Sequence, residues 1–318
     1  MTNLVPKVAV APVECAQAAP ELIAIVAIQE GAVLHVTLNR PSVRNAMSLQ
    51  MVAELRQVLA AAEGRAGQLD AVRVVVLRGA GGHFCAGADL KDMAGARMRA
   101  MQASPAAKPQ AGPTSDAQGD VQSNGPSDRP INRPSDPIAE VNAAFGELCV
   151  AYSRTPLALV AVVEGTVMGG GFGLACVADV AIASDTAQFR LPETSLGVVP
   201  AQIAPFLVER LGYSQAKRLA VTGGRLDAAA ALGLGLVHTV CVTEQLQAEL
   251  DAVLADILAC APGALAATKA LMAQARLQVP AELVAHAAVI FSQAAQGAEG
   301  IEGMTAFIQK RKPHWALT

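Results

Sequence analysis

Residues 73–93, RVVVLRGAGGHFCAGADLKDM, decide how the chain is read. RVVVLRG (73–79) is rich in β-branched residues and reads as a buried strand. GAGGHFCAGADL (79–90) reads as its long exit loop, in which Gly87 and Ala88 are small enough to let a ligand approach the backbone. The same grammar returns downstream: LALVAVVEG (157–165) supplies another strand, and GTVMGGGFGLACVA (165–178) sets three glycines before a helical apolar run. A helix start presents amides with no intrahelical acceptor and a field that favours negative charge. Taken alone, either glycine segment reads equally well as a tight turn. Neither has the GxGxxG or GxxxxGK[ST] spacing, which disfavours nucleotide binding by those motifs.

Working outward, LIAIVAIQEG (22–31) and AVLHVTLNR (32–40) read as two strands around a tight turn. A helix is expected over about residues 48–63, capped by Ser48, with Val52, Leu55, Val58 and Leu59 on one face. Short strands are expected at VAIAS (180–184) and AQFRLP (187–192). This repetition of strand, loop and helix predicts an α/β fold. From about residue 243, Leu/Ala-rich stretches read as helices that cover the core or form an oligomer surface. Residues 103–137 break the pattern: Ser, Pro, Gly, Asn, Asp and Gln dominate, leaving little apolar surface to offset ordering entropy. The expected organisation is an N-terminal arm (1–21), a core (22–255) carrying a polar, disordered insertion at 103–137, and a helical C-terminal region (256–318). The insertion reads either as a lid or as a surface linker.

Composition sets bounds. The 318 residues carry 24 Lys+Arg against 27 Asp+Glu, a balance that gives no support to a nucleic-acid-binding surface. No apolar run is long enough to span a bilayer, and the start of the chain lacks a signal-peptide pattern, so no membrane partner is expected. Six scattered cysteines and five isolated histidines form neither a CxxC pair nor an HExxH motif. The cysteines read as small buried hydrophobes in a reducing compartment, which points to the cytoplasm and away from a metal.

Four blocks occur in order: LNRPSVRNAM (38–47), the CAGAD loop, the GGG segment, and FRLPETSLGVVPAQIAPFLVERLG (189–212). Together they resemble the crotonase superfamily, the enoyl-CoA hydratases and isomerases, from about Leu22 to the C terminus. The resemblance implies a spiral ββα core with a C-terminal helical trimerisation region, in a trimer or a dimer of trimers. It also implies an acyl-CoA substrate, with no cofactor beyond the CoA of the substrate itself. By the same resemblance the Ala88 and Gly170 amides form an oxyanion hole for a thioester enolate. Such preorganised donors stabilise the developing charge more than the neutral ground state.

The resemblance assigns acid/base work to Glu193 in LPETSLG and departs from the family at Gly173, where a second glutamate is usual. The two-glutamate mechanism therefore does not carry over intact. Arg44, Ala86, Lys91, Lys310 and Lys312 are candidate CoA contacts, with solvated cations as the alternative. Phe84, Phe172, Gly173 and Phe206 are candidate pocket residues, with core packing as the alternative for the aromatics. Asp89 and Asp179 are expected to fix loops. GGGFGLAC, LPETSLGVVPAQIAPF and GAEGIEGMTAFIQKRKPHW (297–315) are similar to the hydratases of branched glutaconyl-CoA thioesters, which implies hydration of isohexenylglutaconyl-CoA from acyclic-terpene breakdown, or of methylglutaconyl-CoA. A Δ3-to-Δ2 enoyl-CoA isomerase, an acyl-CoA decarboxylase and a noncatalytic CoA- or RNA-binding protein are the rival readings.

Overall fold

The computed structural model describes residues 22–66, 68, 70–103 and 136–316. The N-terminal arm and positions 104–135 of the polar insertion lie outside the described residues. The edges of that insertion are helical: one helix runs to Ala103 and the next begins at Pro137.

The chain opens with an antiparallel hairpin, β1 (Ile25–Glu30) and β2 (Val33–Leu38), turning at Gly31. Helix α1 (Leu49–Glu63) follows, with the Ser48 hydroxyl accepting from the Met51 amide. Strand β3 (Val74–Gly79) leads to α2 (Leu90–Ala103) and α3 (Pro137–Arg154). Next come β4 (Ala158–Val163), β5 (Thr166–Met168), α4 (Gly170–Val177), β6 (Val180–Ser184) and β7 (Gln188–Arg190). Then α5 (Ala204–Thr222), β8 (Arg225–Asp227), α6 (Ala228–Gly233) and β9 (Thr239–Cys241) complete the sheets. Four helices close the chain: α7 (Leu246–Ala259), α8 (Pro262–Ala275), α9 (Pro280–Gln296) and α10 (Ala298–Ile308). Helix α7 runs through residue 255, so the expected boundary between core and helical region falls inside one element.

Six strands pair in the order β1-β2-β3-β4-β6-β9, parallel from β2 onward, and β5-β7-β8 form a smaller sheet. Successive side chains of a strand alternate between faces. Val74 and Val76 of β3 and Val160 and Val162 of β4 therefore pack on Leu246, Leu250 and Leu254 of α7. Val75, Leu77, Leu159 and Ala161 point the other way, into the larger core with Leu55, Leu148 and Leu174. Every residue of β4 is buried because both faces of the sheet are covered. On α1, Val52, Leu55 and Leu59 are buried and Val58 packs partly buried beside them. No single described helix is long and apolar enough to cross a membrane.

Glu54 interrupts the apolar face of α1 at 2% exposure. Its carboxylate accepts from the amides of Ile23, Ala24 and Ile25 and from the Gln50 side chain, at 2.8–3.1 Å, pinning the entry of β1 to α1. Burial opposes ionisation, but these donors outweigh it and hold the carboxyl below its ordinary value of 4.5. A lowered folded-state pKa contributes stability that is present above the unfolded value and lost as pH falls through the folded one. Glu54→Ala is expected to cost about 2–4 kcal/mol near neutral pH, because the buried amides of Ala24 and Ile25 lose their acceptor. Denaturant titrations over a pH series should show this deficit shrinking in acid.

Candidate active site

Adjacent strands β3 and β4 release their chains on the same side of the sheet, and the two exits are stitched together. The Phe84 amide donates to the Glu164 carbonyl at 2.9 Å, Cys85 to Thr166 at 3.0 Å, and Met168 back to Cys85 at 2.9 Å. Cys85 and Val167 form a parallel bridge, a register that continued along both chains sets Gly87 against Gly169 and Ala88 beside Gly170. Both glycines have positive φ, +97° and +48°, which L side chains rarely adopt. A Cβ on Gly87 would come 3.3 Å from the Met168 carbonyl oxygen, and one on Gly169 would come 3.6 Å from the Gly87 Cα. The two loops touch backbone to backbone.

Among the described residues, this contact leaves two amides, those of Ala88 and Gly170, without an acceptor. Met47 bonds to either side of Ala88, donating to the Gly87 carbonyl at 2.7 Å and accepting from the Asp89 amide at 2.9 Å. Gly170 is the first residue of α4, where an amide has no intrahelical acceptor. Buried Asn45 ties the first loop down: its side chain donates to the Ala80 and His83 carbonyls at 2.9 and 2.6 Å. The His83 ring accepts from the Thr166 amide at 3.1 Å, an anchoring contact between the two exits. Asp89 pairs with Arg40 at 2.7 Å and accepts from the Lys91 amide at the start of α2. Burial opposes its ionisation, yet the Lys91 amide and Arg40 hold it below the usual carboxylate range. Asp179 likewise accepts from the Leu159 amide at 2.7 Å and pairs with Lys269.

Glu193 enters from the end of β7, where the Gly169 amide donates to the Arg190 carbonyl at 3.1 Å. Its Oε1 lies 3.1 Å from where a Gly169 Cβ would sit. Its Oε2 is buried, with no hydrogen-bond partner among the described residues. Burial pushes the Glu193 carboxyl above the ordinary carboxylate range, a condition that suits proton transfer near neutral pH. Ala88, Gly170 and Glu193 all face one cavity of about 780 Å³, within the range of small-molecule sites.

The expected pocket residues are redistributed. Phe84 and Phe172 have no exposed surface; both sit in the core, where Phe172 packs edge-to-face on Phe189 at 5.9 Å. Phe206 on α5 packs half-buried against that core, outside the cavity. Gly173 does not line it either, because Ile203 lies over that face of α4: a Gly173 Cβ would come 2.4 Å from the Ile203 Cγ2. The space a second glutamate would need is filled by a hydrocarbon branch. The aromatic that does face the cavity is Phe145 of α3, whose ring lies 3.2 Å from a Gly170 Cβ position. Only its place on an amphipathic helix marked it in the sequence.

Of the expected CoA contacts, Ala86 and Lys91 line the cavity, with Lys91 exposed at its edge. The Ala86 amide is spent on the Arg44 carbonyl at 2.9 Å. Arg44 is exposed, with φ of +50°, and stands outside the cavity lining. Lys310 and Lys312 are exposed and also stand outside it. Their segment is held beside the end of α7, where Arg73 donates to the Trp315 carbonyl and the Trp315 ring to the Ala259 carbonyl. Arg311 between them is paired with Glu302. Among the described residues, no group of three or more His, Cys, Asp or Glu could hold a metal ion.

Gly173→Ala is expected to destabilise the fold by about 1–3 kcal/mol through overpacking. Combined with Ile203→Ala, which removes the opposing methyl, it should cost less than the sum of the two single changes, by about 1 kcal/mol in a denaturant double-mutant cycle. The comparisons with known proteins agree with this geometry. A family model described as enoyl-CoA hydratase/isomerase matches residues 28–113 and 131–317. "Probable enoyl-CoA hydratase echA8" of Mycobacterium leprae is 31% identical over 284 residues, covering 88% of this chain and 93% of the relative. Among solved structures, AtuE of Pseudomonas aeruginosa is 47% identical with a TM-score of 0.79, covering 92% of this chain and 100% of that one. An enoyl-CoA hydratase/isomerase from Marinobacter aquaeolei is 45% identical with a TM-score of 0.77, covering 92% and 99%. A crotonase-type α/β core with two exit loops joined at Gly87 and Gly169, and sequence matches along nearly its whole length, make this chain a member of the enoyl-CoA hydratase/isomerase family.

Proposed function

We propose that this member of an acyl-CoA family hydrates a branched glutaconyl-CoA thioester, with isohexenylglutaconyl-CoA the substrate and 3-hydroxy-3-isohexenylglutaryl-CoA the product. The observation that carries the chemistry is the buried, unpartnered Oε2 of Glu193, on a carboxylate that abuts Gly169 between the two unspent amides. The thioester carbonyl oxygen accepts from Ala88 and Gly170. A donor of this kind contributes about 3–4 kcal/mol as charge develops on that oxygen. Glu193 takes a proton from water, the water oxygen bonds to C3, and the C2=C3 electron pair moves into the enolate. The proton then passes from Glu193 to C2, so one water is added and no cofactor is consumed.

The branched acyl group is supported by the single-carboxylate site and by the similarity of the sequence blocks around Gly173 and Glu193. Lys91 is assigned to the CoA end of the cavity. Lys310 and Lys312, which do not line the cavity of their own chain, are assigned to CoA across a subunit boundary. Phe291, Ile301, Met304, Phe307 and Ile308 of α9 and α10 are exposed in the single chain, which supports a trimer or dimer of trimers built through these helices. The free thiols of buried Cys85, Cys149 and Cys176 fit a reducing, cytoplasmic setting.

In water enriched with heavy oxygen, the purified protein should place the label in the C3 hydroxyl of the product. A product with a moved double bond and no label would establish isomerisation, and carbon dioxide release would establish decarboxylation. Glu193→Gln is expected to lower kcat by about 10²–10⁴-fold; unchanged turnover would remove Glu193 from this role. Because burial raises the Glu193 pKa, its ionised form weakens the fold as pH rises through that value. Glu193→Gln should therefore raise Tm near neutral pH, with the gain fading in acid, where the native carboxyl is already neutral.

A further inference from the structure

Two side chains on the cavity wall have no place in the enolate chemistry. Asn142 of α3 and Gln202, just before α5, both line the cavity, and the Gln202 Nε2 donates to the Asn142 Oδ1 at 2.7 Å. This pair is built into the fold. One helical turn after Asn142, Gly146 is buried, and a Cβ there would come 2.0 Å from the Gln202 Oε1. Only a glycine lets the Gln202 carboxamide lie flat on α3 and reach Asn142. Its neighbour Ile203 fills the face of α4 at Gly173, so the same short segment removes one carboxylate position and installs a carboxamide.

The hydrogen-bonding balance of the pair is one-sided. The Asn142 oxygen is taken by Gln202, and the Gln202 oxygen is turned onto the Gly146 backbone. Three N–H groups, two on Asn142 and the second on Gln202, have no partner among the described residues; the one oxygen without a donor, the Gln202 Oε1, is turned away onto α3 at Gly146. This excess of donors over acceptors fits an anion. The pair is also near the reacting end of the site, since Phe145, three residues after Asn142 on the same helix face, touches the Gly170 position. Of the other polar groups on the wall, Asp89 is committed to Arg40, Asp92 to the Leu49 amide and Ser48 to the Met51 amide, while Lys91 is exposed and Glu193 serves the proposed proton transfer.

We infer that the Asn142–Gln202 carboxamide pair receives the second carboxylate of the acyl group and makes the enzyme selective for thioesters that carry one at C5. The inference rests on the proposed branched glutaconyl substrate. Neutral donors accomplish this without a buried cation, and hydrogen bonds to a charged acceptor are about twice as strong as neutral ones. They also keep positive charge away from Glu193, whose raised proton affinity the hydration step uses.

The test compares 3-methylglutaconyl-CoA with 3-methylcrotonyl-CoA, which shares the C3 branch and lacks the distal carboxylate. The readout is the ratio of kcat/KM for the carboxylated over the neutral thioester. In Asn142→Leu and in Gln202→Met, this ratio should fall about 10-fold or more, chiefly through KM for the carboxylated substrate. Asn142→Asp, which places a like charge in the pocket, should lower it further while keeping the side-chain shape. A ratio unchanged in all three variants, whether or not overall activity drops, overturns the inference and leaves the hydratase reading standing. A wild-type enzyme that hydrates the neutral thioester as well as the carboxylated one overturns both.

Discussion

The parallel pairing of Cys85 with Val167 is the contact on which the site depends. It joins the exits of two neighbouring strands, β3 and β4, into a single backbone surface. Because the register advances residue for residue, a bridge at 85 and 167 brings 87 against 169 and 88 beside 170. The close approach then requires that neither chain carry a side chain at the crossing, and Gly87 and Gly169 meet that need at positive φ. Amides fixed in this way would not reorganise as charge develops on an oxygen bound between them, the property on which the proposed hydration relies. Asn45, His83 and Met47 serve the same end by holding the first loop to the second and to the chain before α1.

The second organising constraint is the packing of Ile203 on Gly173. Two carboxylates in one small cavity repel, and each raises the other's proton affinity. Here one is absent and its space is filled, so Glu193 owes its raised pKa to burial. The cost is a carboxylate oxygen with no partner among the described residues, a destabilising feature tolerated at functional sites. Stability is recovered elsewhere by a carboxylate that is fully used, Glu54 on the amides of Ile23, Ala24 and Ile25. Two acidic side chains, Glu54 buried and Glu193 partly buried, thus have opposite consequences, decided by the number of N–H groups each receives.

Much of the fold was legible along the chain because it is local. The Ser48 cap, the apolar face of α1, the buried runs of β3 and β4, and the two glycine segments are each written within a few residues. Asp89 and Asp179 were readable as loop anchors because an acidic group beside a loop or helix start finds amides nearby. The aromatic pocket was not readable. Phe84 and Phe172 flank the glycine segments in sequence, yet the backbone turns them inward to the core, while Phe145, far from either segment, faces the cavity. Direction across a loop is set by long-range packing, on which sequence proximity is silent.

By itself, the sequence determined the α/β class, the two glycine-rich exits, the position of Glu193 and the missing carboxylate at Gly173. The first two follow from residue chemistry and short-range periodicity, and the last two from the resemblance to the crotonase superfamily. Only the tertiary structure decided that the exits pair in the one register that sets Ala88 beside Gly170, that Ile203 occupies the vacated face of α4, and that Gln202 crosses Gly146 to reach Asn142. Each of these joins segments tens of residues apart. Their energies depend on tenths of an ångström between atoms that no local pattern relates, so they exist only once the sheet and its helices have packed.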